Sequence, residues 1–222
     1  MLSPLQIAAA AHLNREIDAR TRKYPVPTQS TVIERKLDRF KRADAKVFRT
    51  LMKPENADVV IDAIPAKEGG ALHALLCGDF VFCDLVLRMV ARFGAPRSLV
   101  ITTLSLSLKN LVGLEAMLVK FPGFPLHLVV SSYFQSTNKE IFVALEKLVS
   151  KFPDRFKITI GRSHAKLVLL DYGVKAGCYV IESSSNLRSS NCLEQVSIFR
   201  ERSLLEFHQA WIEAFRNTKA QE

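Results

Sequence analysis

The sequence predicts an α/β domain with a mixed, mostly parallel central sheet, flanked by helices on both faces and preceded by a basic N-terminal helical arm. From about residue 70 onward, apolar segments rich in β-branched residues alternate with amphipathic segments of helical length. The last strands follow one another without a helix between them, which indicates an antiparallel hairpin. The 222 residues carry a net charge of +9, and the cations are concentrated near the start. We expect residues 1–55 to form the arm and residues 56–222 the α/β domain.

The arm is predicted to contain two helices. The first covers residues 4–22. The second begins at Thr31, where Thr31 and Glu34 have the spacing of a capping box, and it ends near Met52, before Pro54.

The arm also holds most of the positive charge. Between Arg20 and Lys53, eleven lysines and arginines stand against three acidic residues. Such a concentration favours a polyanionic partner, nucleic acid first and an anionic membrane surface second. A solvated helix face would also account for these charges. Four cations of the second helix are candidate nucleic-acid contacts: Arg35, Arg39, Arg42 and Lys46. A fifth candidate, Arg188, lies near the end of the chain, just after the Ser-Ser-Ser-Asn at 183–186.

The elements of the α/β domain follow from periodicity and composition. Strands are expected at 59–64 (a marginal case), 71–77, 98–103, 125–131, 157–160, 165–171, 178–183 and 194–199. Helices are expected at 80–93, 107–121, 138–152 and 203–215. Helices of this length between strands are typical of crossovers that leave the strands parallel. In the final hairpin, Gly173 and Gly177 supply turn conformations.

Composition argues against several other classes. No run of eighteen apolar residues is present, so no membrane span is predicted. The first residues lack the basic start of a signal peptide. The four cysteines show no C-x-x-C spacing, which favours a reducing compartment over a disulfide framework or a zinc site. We therefore expect a cytoplasmic protein that requires no metal and no cofactor.

The most informative segment is a histidine, a lysine two positions later and an aspartate five residues beyond, inside an apolar run. These residues are His164, Lys166 and Asp171. Residues two apart on a strand lie on the same face, so the imidazole and the ammonium group point the same way. A lysine that reaches solvent along its long stem would be the plainer interpretation, but it leaves the Ser-Ser-Ser-Asn at 183–186 unexplained. The pair predicts a site for an anion.

This pattern resembles the HKD motif of the phospholipase D superfamily, in its single-motif, nuclease-like branch. Ser184 and Asn186 occupy the Ser and Asn positions of that motif, and Glu194 matches the acidic residue that follows. Ser183 stands where the family has glycine. The gap from the motif aspartate to Asn186 is five residues longer than the usual pattern, which a longer hairpin explains.

The resemblance implies a phosphodiesterase that forms a covalent phosphohistidine. In such an enzyme, His164 would be the nucleophile. Lys166 and Asn186 would hold the non-bridging phosphate oxygens, one by charge and the other by its amide.

The remaining motif residues would support this chemistry. Ser184 would add a hydroxyl donor, and Glu194 would accept the second imidazole N–H of the nucleophile. Asp171 ends the strand, and the resemblance implies a mainly structural role for it. Lysine and histidine supply the positive charge, so no metal is implied.

A second histidine is expected as the general acid, because one imidazole cannot attack and donate a proton in the same step. The other histidines, His12, His73, His127 and His208, lack a partner lysine. His73 and His127 lie in apolar strands and are expected to be core residues. The second imidazole should therefore come from a second copy of the chain, as the His164 of a two-fold homodimer.

Three further residues follow predicted strand ends, where open α/β sheets bind ligands. They are Tyr133, Phe134 and Arg162. An aromatic side chain there could stack on a base. Loop residues that cover the core are an equally good interpretation.

The leading hypothesis is a metal-independent phosphodiesterase, a nuclease acting on DNA or RNA. A phospholipid phosphodiesterase or transferase of the same superfamily is the second hypothesis. The third is a non-catalytic nucleic-acid-binding or scaffolding protein with the same fold.

Overall fold

The computed structural model describes residues 49–52, 56–76, 81–188 and 192–219. The two predicted arm helices lie outside the described residues, apart from the end of the second. The same holds for the cations of the second helix: Arg35, Arg39, Arg42 and Lys46. Their contribution to binding therefore stays a prediction.

Eight strands form one sheet within the described residues. They are β1 (Arg49–Met52), β2 (Gly70–Leu76), β3 (Ser98–Thr103), β4 (Leu126–Ser131), β5 (Phe156–Gly161), β6 (Leu167–Asp171), β7 (Cys178–Ser183) and β8 (Glu194–Arg200). Their order across the sheet is β1-β2-β8-β7-β6-β3-β4-β5. The pairs β1–β2, β3–β4 and β4–β5 are parallel, whereas β2–β8, β8–β7, β7–β6 and β6–β3 are antiparallel.

The sheet is thus mixed, and the expectation that it is mostly parallel is not supported. Four of the seven described strand pairings are antiparallel. The reason is that β6 and β8 enter the middle of the sheet without a helical crossover and run against their neighbours. The consequence is geometric: β2, β3, β4, β5 and β7 end at the edge of the sheet where β6 and β8 begin. We call this the carboxyl edge.

Six helices accompany the sheet in the described part of the chain. They are α1 (Ala57–Asp62), α2 (Phe82–Phe93), α3 (Leu108–Lys120), α4 (Ser132–Thr137), α5 (Lys139–Lys151) and α6 (Arg202–Lys219). The capping box that opens α3 joins Ser107 and Asn110 through reciprocal hydrogen bonds. Gly94, with φ of 86°, ends α2.

Two local predictions are wrong. The marginal strand at 59–64 is helix α1, because the Asn56 side chain accepts hydrogen bonds from the N–H groups of Asp58 and Val59 and so caps a helical turn. Residues 49–52 form strand β1 instead of the last turn of a helix. This strand pairs in parallel with β2, a partner about twenty residues away that local periodicity does not reveal.

Helices cover both faces of the sheet, as expected. One face packs against α1 to α5 through the main apolar core, which includes Leu85, Leu114 and Leu145 from three of these helices. The other face packs against α6, whose Leu205 and Ile212 contact a smaller cluster that includes Val180 of β7. Burial of each such side chain contributes about 1.5–3 kcal/mol. Helix α6 is therefore fixed across the strands that carry the motif.

The β6–β7 hairpin ends in a turn at the edge opposite the carboxyl edge. Gly173 and Gly177 have φ values of 90° and 89°, in agreement with the predicted turn. Asp171 closes β6 there and accepts hydrogen bonds from the backbone N–H of Gly173 and from Arg202 Nη1, both at 2.8 Å. Arg202 Nη2 donates to the Gly173 carbonyl at 3.0 Å. This pair joins the hairpin to the first residue of α6.

Replacing Asp171 with alanine is expected to lower the free energy of unfolding by about 1–3 kcal/mol, because it leaves the half-buried Arg202 guanidinium without its carboxylate. Urea denaturation measures this loss. The matched control is Glu213→Ala, which removes an exposed ion pair with Arg216 on α6 and should cost less than about 0.5 kcal/mol. Equal losses in the two variants would contradict a structural role for Asp171.

Candidate active site

A cleft opens at the carboxyl edge between the start of β6, the end of β7 and helix α6. We call it the His164 cleft. Its lining residues are His164, Ala165, Lys166, Leu167, Glu182, Ser183, Ser184, His208 and Trp211. The fold brings these residues together because β6 begins where β7 ends and α6 crosses both strands.

His164 and Lys166 form the centre of the cleft. The imidazole is exposed, whereas Lys166 is only 9% exposed. Lys166 Nζ lies 2.9 Å from His164 Nδ1 and donates to the His164 carbonyl oxygen at 3.1 Å. Burial lowers the pKa of Lys166, and the negative charge of Glu194 opposes this effect. No carboxylate within the described residues forms an ion pair with Lys166.

The contact between Lys166 and His164 determines which imidazole nitrogen carries the proton. An ammonium group can only donate, so His164 Nδ1 accepts and Nε2 carries the proton. Attack through Nε2 requires the opposite tautomer. Lys166 permits that tautomer when its ammonium group turns from His164 Nδ1 to an anion in the cleft. An anion that enters the cleft would therefore break the hydrogen bond between Lys166 and His164 and change the tautomer of the imidazole.

Ser184 and Glu194 contact each other. The Ser184 hydroxyl donates to a carboxylate oxygen of Glu194 and accepts from the backbone N–H of Gln195 at 2.9 Å. A hydroxyl has one donor, so Ser184 is committed to Glu194 in this arrangement. The expected hydrogen bond from His164 to Glu194 is not among the hydrogen bonds of the described residues; the carboxylate is held by Ser184 instead.

Asn186 is fixed just beyond Ser184. Its Oδ1 accepts a hydrogen bond from the backbone N–H of Leu104, which follows β3, at 3.1 Å. This contact assigns the oxygen to that side and leaves the Nδ2 amino group as the donor. Asn186 is half-buried and does not line the His164 cleft in the described structure. An anion would have to reach towards β3 to accept a hydrogen bond from Asn186.

Two other predicted residues lie apart from this centre. Asp171 lies at the far end of β6, where its carboxylate binds Arg202, so it cannot contact a ligand of the cleft. Arg188 is exposed two residues after Asn186. It is available at the surface, but no described contact fixes it.

The aromatic residues after β4 differ from each other. Tyr133 is 65% exposed, whereas Phe134 is fully buried and packs edge-on against Phe142. Phe134 is therefore a core residue, and the suggestion that it lines a binding cleft is wrong. Tyr133 and Arg162 are exposed near the ends of β4 and β5.

The structure adds a histidine and a glutamate that the sequence did not single out. His208, 7% exposed on α6, has its Nε2 3.0 Å from Oε1 of Glu182, the residue before the last of β7. Trp211 Nε1 donates to His208 Nδ1 at 2.9 Å. The spacing of His208 and Trp211 on one helix face was the only signal in the sequence, and it does not distinguish a cleft from a core.

Two other histidines have protein partners outside the cleft. His127 Nε2 lies 2.9 Å from Thr159 Oγ1, and burial lowers the pKa of His127. His73 Nδ1 lies 2.9 Å from Ser197 Oγ. Both occupy strands, but they are half-buried and do not belong to the core as expected.

The described residues contain neither a candidate metal-binding cluster nor a candidate membrane-spanning helix. No group of three or more histidine, cysteine, aspartate or glutamate side chains there could hold a metal ion. No described helix has the length and apolar character needed to cross a bilayer.

The fold and the cleft thus define a mixed α/β domain with a buried lysine beside an exposed histidine. No family model and no curated protein matches the sequence. Among solved structures, the chain is similar to polyphosphate kinase from Porphyromonas gingivalis, with 12% sequence identity and a TM-score of 0.45. The match covers 64% of this chain and 26% of the kinase, so the chain spans about a quarter of that protein's length.

Proposed function

We propose that this protein is a metal-independent phosphodiesterase that acts on nucleic acid through a covalent phosphohistidine at His164. One observation carries the proposal. Lys166 is a buried cation without an ion-pair partner in the described residues, and its ammonium group contacts an exposed imidazole. A buried charge of this kind is costly unless an anion compensates it. A phosphate in the His164 cleft would supply that anion and place its phosphorus near the nucleophile.

The proposed first step joins His164 to the substrate. The lone pair of His164 Nε2 attacks phosphorus, the bond from phosphorus to the leaving oxygen breaks, and its electron pair stays on that oxygen, which takes up a proton. Lys166 turns from His164 Nδ1 to a non-bridging oxygen and stabilises the charge of the transition state. The amino group of Asn186 is the second candidate donor. Water then attacks the phosphohistidine and releases His164.

The choice of nucleic acid over other phosphodiesters rests on charge. The net charge of +9 favours a polyanion, and phosphate contacts by lysine and arginine provide affinity without sequence preference. Arg188 and Arg162 are exposed cations, two residues beyond Asn186 and two residues before His164. A homodimer in which two copies of His164 share one phosphate stays a prediction.

The direct test is hydrolysis in the presence of excess chelator. Purified full-length protein is incubated in EDTA with bis(4-nitrophenyl) phosphate and, separately, with end-labelled single- and double-stranded DNA and RNA. We expect release of nitrophenolate and cleavage of at least one nucleic acid, together with an acid-labile phosphoryl adduct on His164 in quenched samples. Absence of turnover with every substrate would overturn the proposal.

Two alternative functions, a lipid-directed phosphodiesterase and a non-catalytic nucleic-acid-binding module, each have one supporting observation. The exposed apolar residues Leu108, Val112 and Val119 share one face of α3, which would favour a lipid surface. Chelator-resistant release of a headgroup from phospholipid vesicles, without cleavage of nucleic acid, would support that function. Salt-dependent DNA binding without turnover would instead support a non-catalytic module, which the high net charge permits.

A further inference from the structure

The His164 cleft contains a second imidazole from the same chain. His208 lies on α6, and its Nε2 is 3.0 Å from Glu182 Oε1. Glu182 and His208 line the cleft together with His164 and Lys166. An acid–base pair and a candidate nucleophile thus face one space, although 18 residues of chain separate His164 from Glu182 and 26 separate Glu182 from His208.

The proton positions in this second pair follow from Trp211. The indole N–H can only donate, so His208 Nδ1 must accept it. A neutral His208 therefore carries its proton on Nε2 and donates it to Glu182 Oε1. The other carboxylate oxygen of Glu182, Oε2, does not take part in this hydrogen bond. The Glu182 side chain is 42% exposed. The arrangement orients one carboxylate oxygen towards the protein and makes the other available to the cleft.

We infer that Glu182 is the proton-transfer residue of this site and that His208 is the residue that positions it. This inference rests on the proposed phosphodiesterase function. It removes the need for a second His164 from a partner subunit, because one chain then holds the nucleophile, the phosphate-binding cation and the acid–base group.

The proton balance closes over two steps. In the second step, Glu182 Oε2 takes a proton from the attacking water, the new bond from oxygen to phosphorus forms, the P–N bond breaks and its electron pair returns to His164 Nε2. The products are a phosphate monoester and protonated Glu182. In the first step of the next turnover, Glu182 gives this proton to the leaving oxygen as the P–O bond breaks. One group thus serves as base and as acid.

The test uses Glu182→Gln in the full-length protein, with bis(4-nitrophenyl) phosphate in EDTA. Glutamine keeps an oxygen for the His208 N–H but cannot take a proton from water. Nitrophenolate leaves without a proton, so the first step should survive in the variant. We expect a burst of nitrophenolate equal to the number of active sites, followed by turnover about 100-fold slower than in the wild type. Intact-mass spectrometry should show the phosphoryl adduct accumulating on His164.

The controls separate a catalytic role from a structural one. Glu206→Gln changes an exposed carboxylate on α6, the helix that carries His208, and should behave as the wild type. Glu182→Asp, which keeps a carboxylate, should clear the adduct faster than Glu182→Gln. His208→Leu should slow hydrolysis of the adduct, and His208→Gln, which restores an N–H donor, should recover part of the rate.

Each outcome bears on one proposal. A wild-type protein without chelator-resistant release overturns the phosphodiesterase proposal itself. An active wild type with unchanged turnover in Glu182→Gln, or with no burst in that variant, overturns the role of Glu182. Mixed dimers of Glu182→Gln and His164→Asn chains give a further result. They should stay slow, and recovery towards half of the wild-type turnover, from one intact site of two, would show that two chains share the site.

Discussion

Replacing His164 with asparagine is expected to lower phosphodiesterase turnover by about 10⁴-fold or more, because no other group replaces the attacking nitrogen. The thermal midpoint should stay within the experimental error of the wild-type value. The imidazole is exposed, and its described side-chain hydrogen bond is the contact with Lys166 Nζ. Steady-state release of nitrophenolate in EDTA, with differential scanning fluorimetry on the same samples, measures both effects.

The control for this prediction is a histidine of strand β4. His127→Asn removes an imidazole that contacts Thr159 on β5, outside the His164 cleft, and should leave turnover unchanged. Wild-type turnover in His164→Asn protein would contradict the nucleophilic role of His164. That result would mean that another group makes the covalent bond or that no covalent bond forms.

Replacing Lys166 with methionine is expected to lower turnover by about 10²–10³-fold and to make the protein more stable. The loss of rate follows from the missing charge on the phosphate oxygens. The gain in stability, about 1 kcal/mol or 2–4 °C in thermal midpoint, follows because methionine removes the cost of burying an ammonium group without an ion-pair partner. Opposite effects on rate and stability are typical of residues placed for function.

The difference in stability between Lys166→Met and the wild type should decrease as the pH rises. Burial holds the pKa of Lys166 in the folded protein below the ordinary value of 10.5. Between these two pKa values the unfolded chain binds more protons, so the wild-type contribution to the free energy of unfolding rises with pH. The advantage of Lys166→Met should therefore be full below the folded pKa and fade as the pH approaches 10.5.

Urea denaturation at several pH values measures this dependence. Lys157→Met is the control, since Lys157 is exposed and should show no such trend. A Lys166→Met protein less stable than the wild type at neutral pH would show that Lys166 is well compensated in the free protein. Lys166 would then need no anion in the cleft to compensate its charge.

Much of the fold was predictable because most of its elements are local in origin. Seven strands lie close to their predicted positions, and the β6–β7 hairpin turns at its two glycines. Sheet direction was not predictable in the same way. The central strands β6 and β8 run against their neighbours, and side-chain alternation within a strand is the same for parallel and antiparallel pairing.

The errors in local structure have a shared physical cause. Helix α1 depends on the Asn56 cap, which prevails over the β-branched residues that follow. Strand β1 depends on β2, and hydrogen bonds to a distant strand leave no local periodicity. Phe134 follows a strand end as a ligand-binding aromatic would, yet helix α4 directs it into the core.

The candidate site was predictable in part. His164 and Lys166 contact each other, although both precede β6 and do not share a strand face as expected, and Ser184 lies in the same cleft. The partner of Glu194 was not foreseen, because Ser184 and not His164 binds that carboxylate. Glu182, His208 and Trp211 were missed as a group, although each belongs to an element that was correctly placed.

The amino-acid order alone settled the alternation of strands and helices and the neighbouring imidazole and ammonium groups, since both depend on residues close together in the chain. The tertiary structure alone decided the depth of Lys166, the partner of Glu194 and the position of His208 against Glu182. Such burial and contacts arise when β8 pairs with β7 and when α6 packs on the sheet, and periodicity within one segment carries no information about its distant partners.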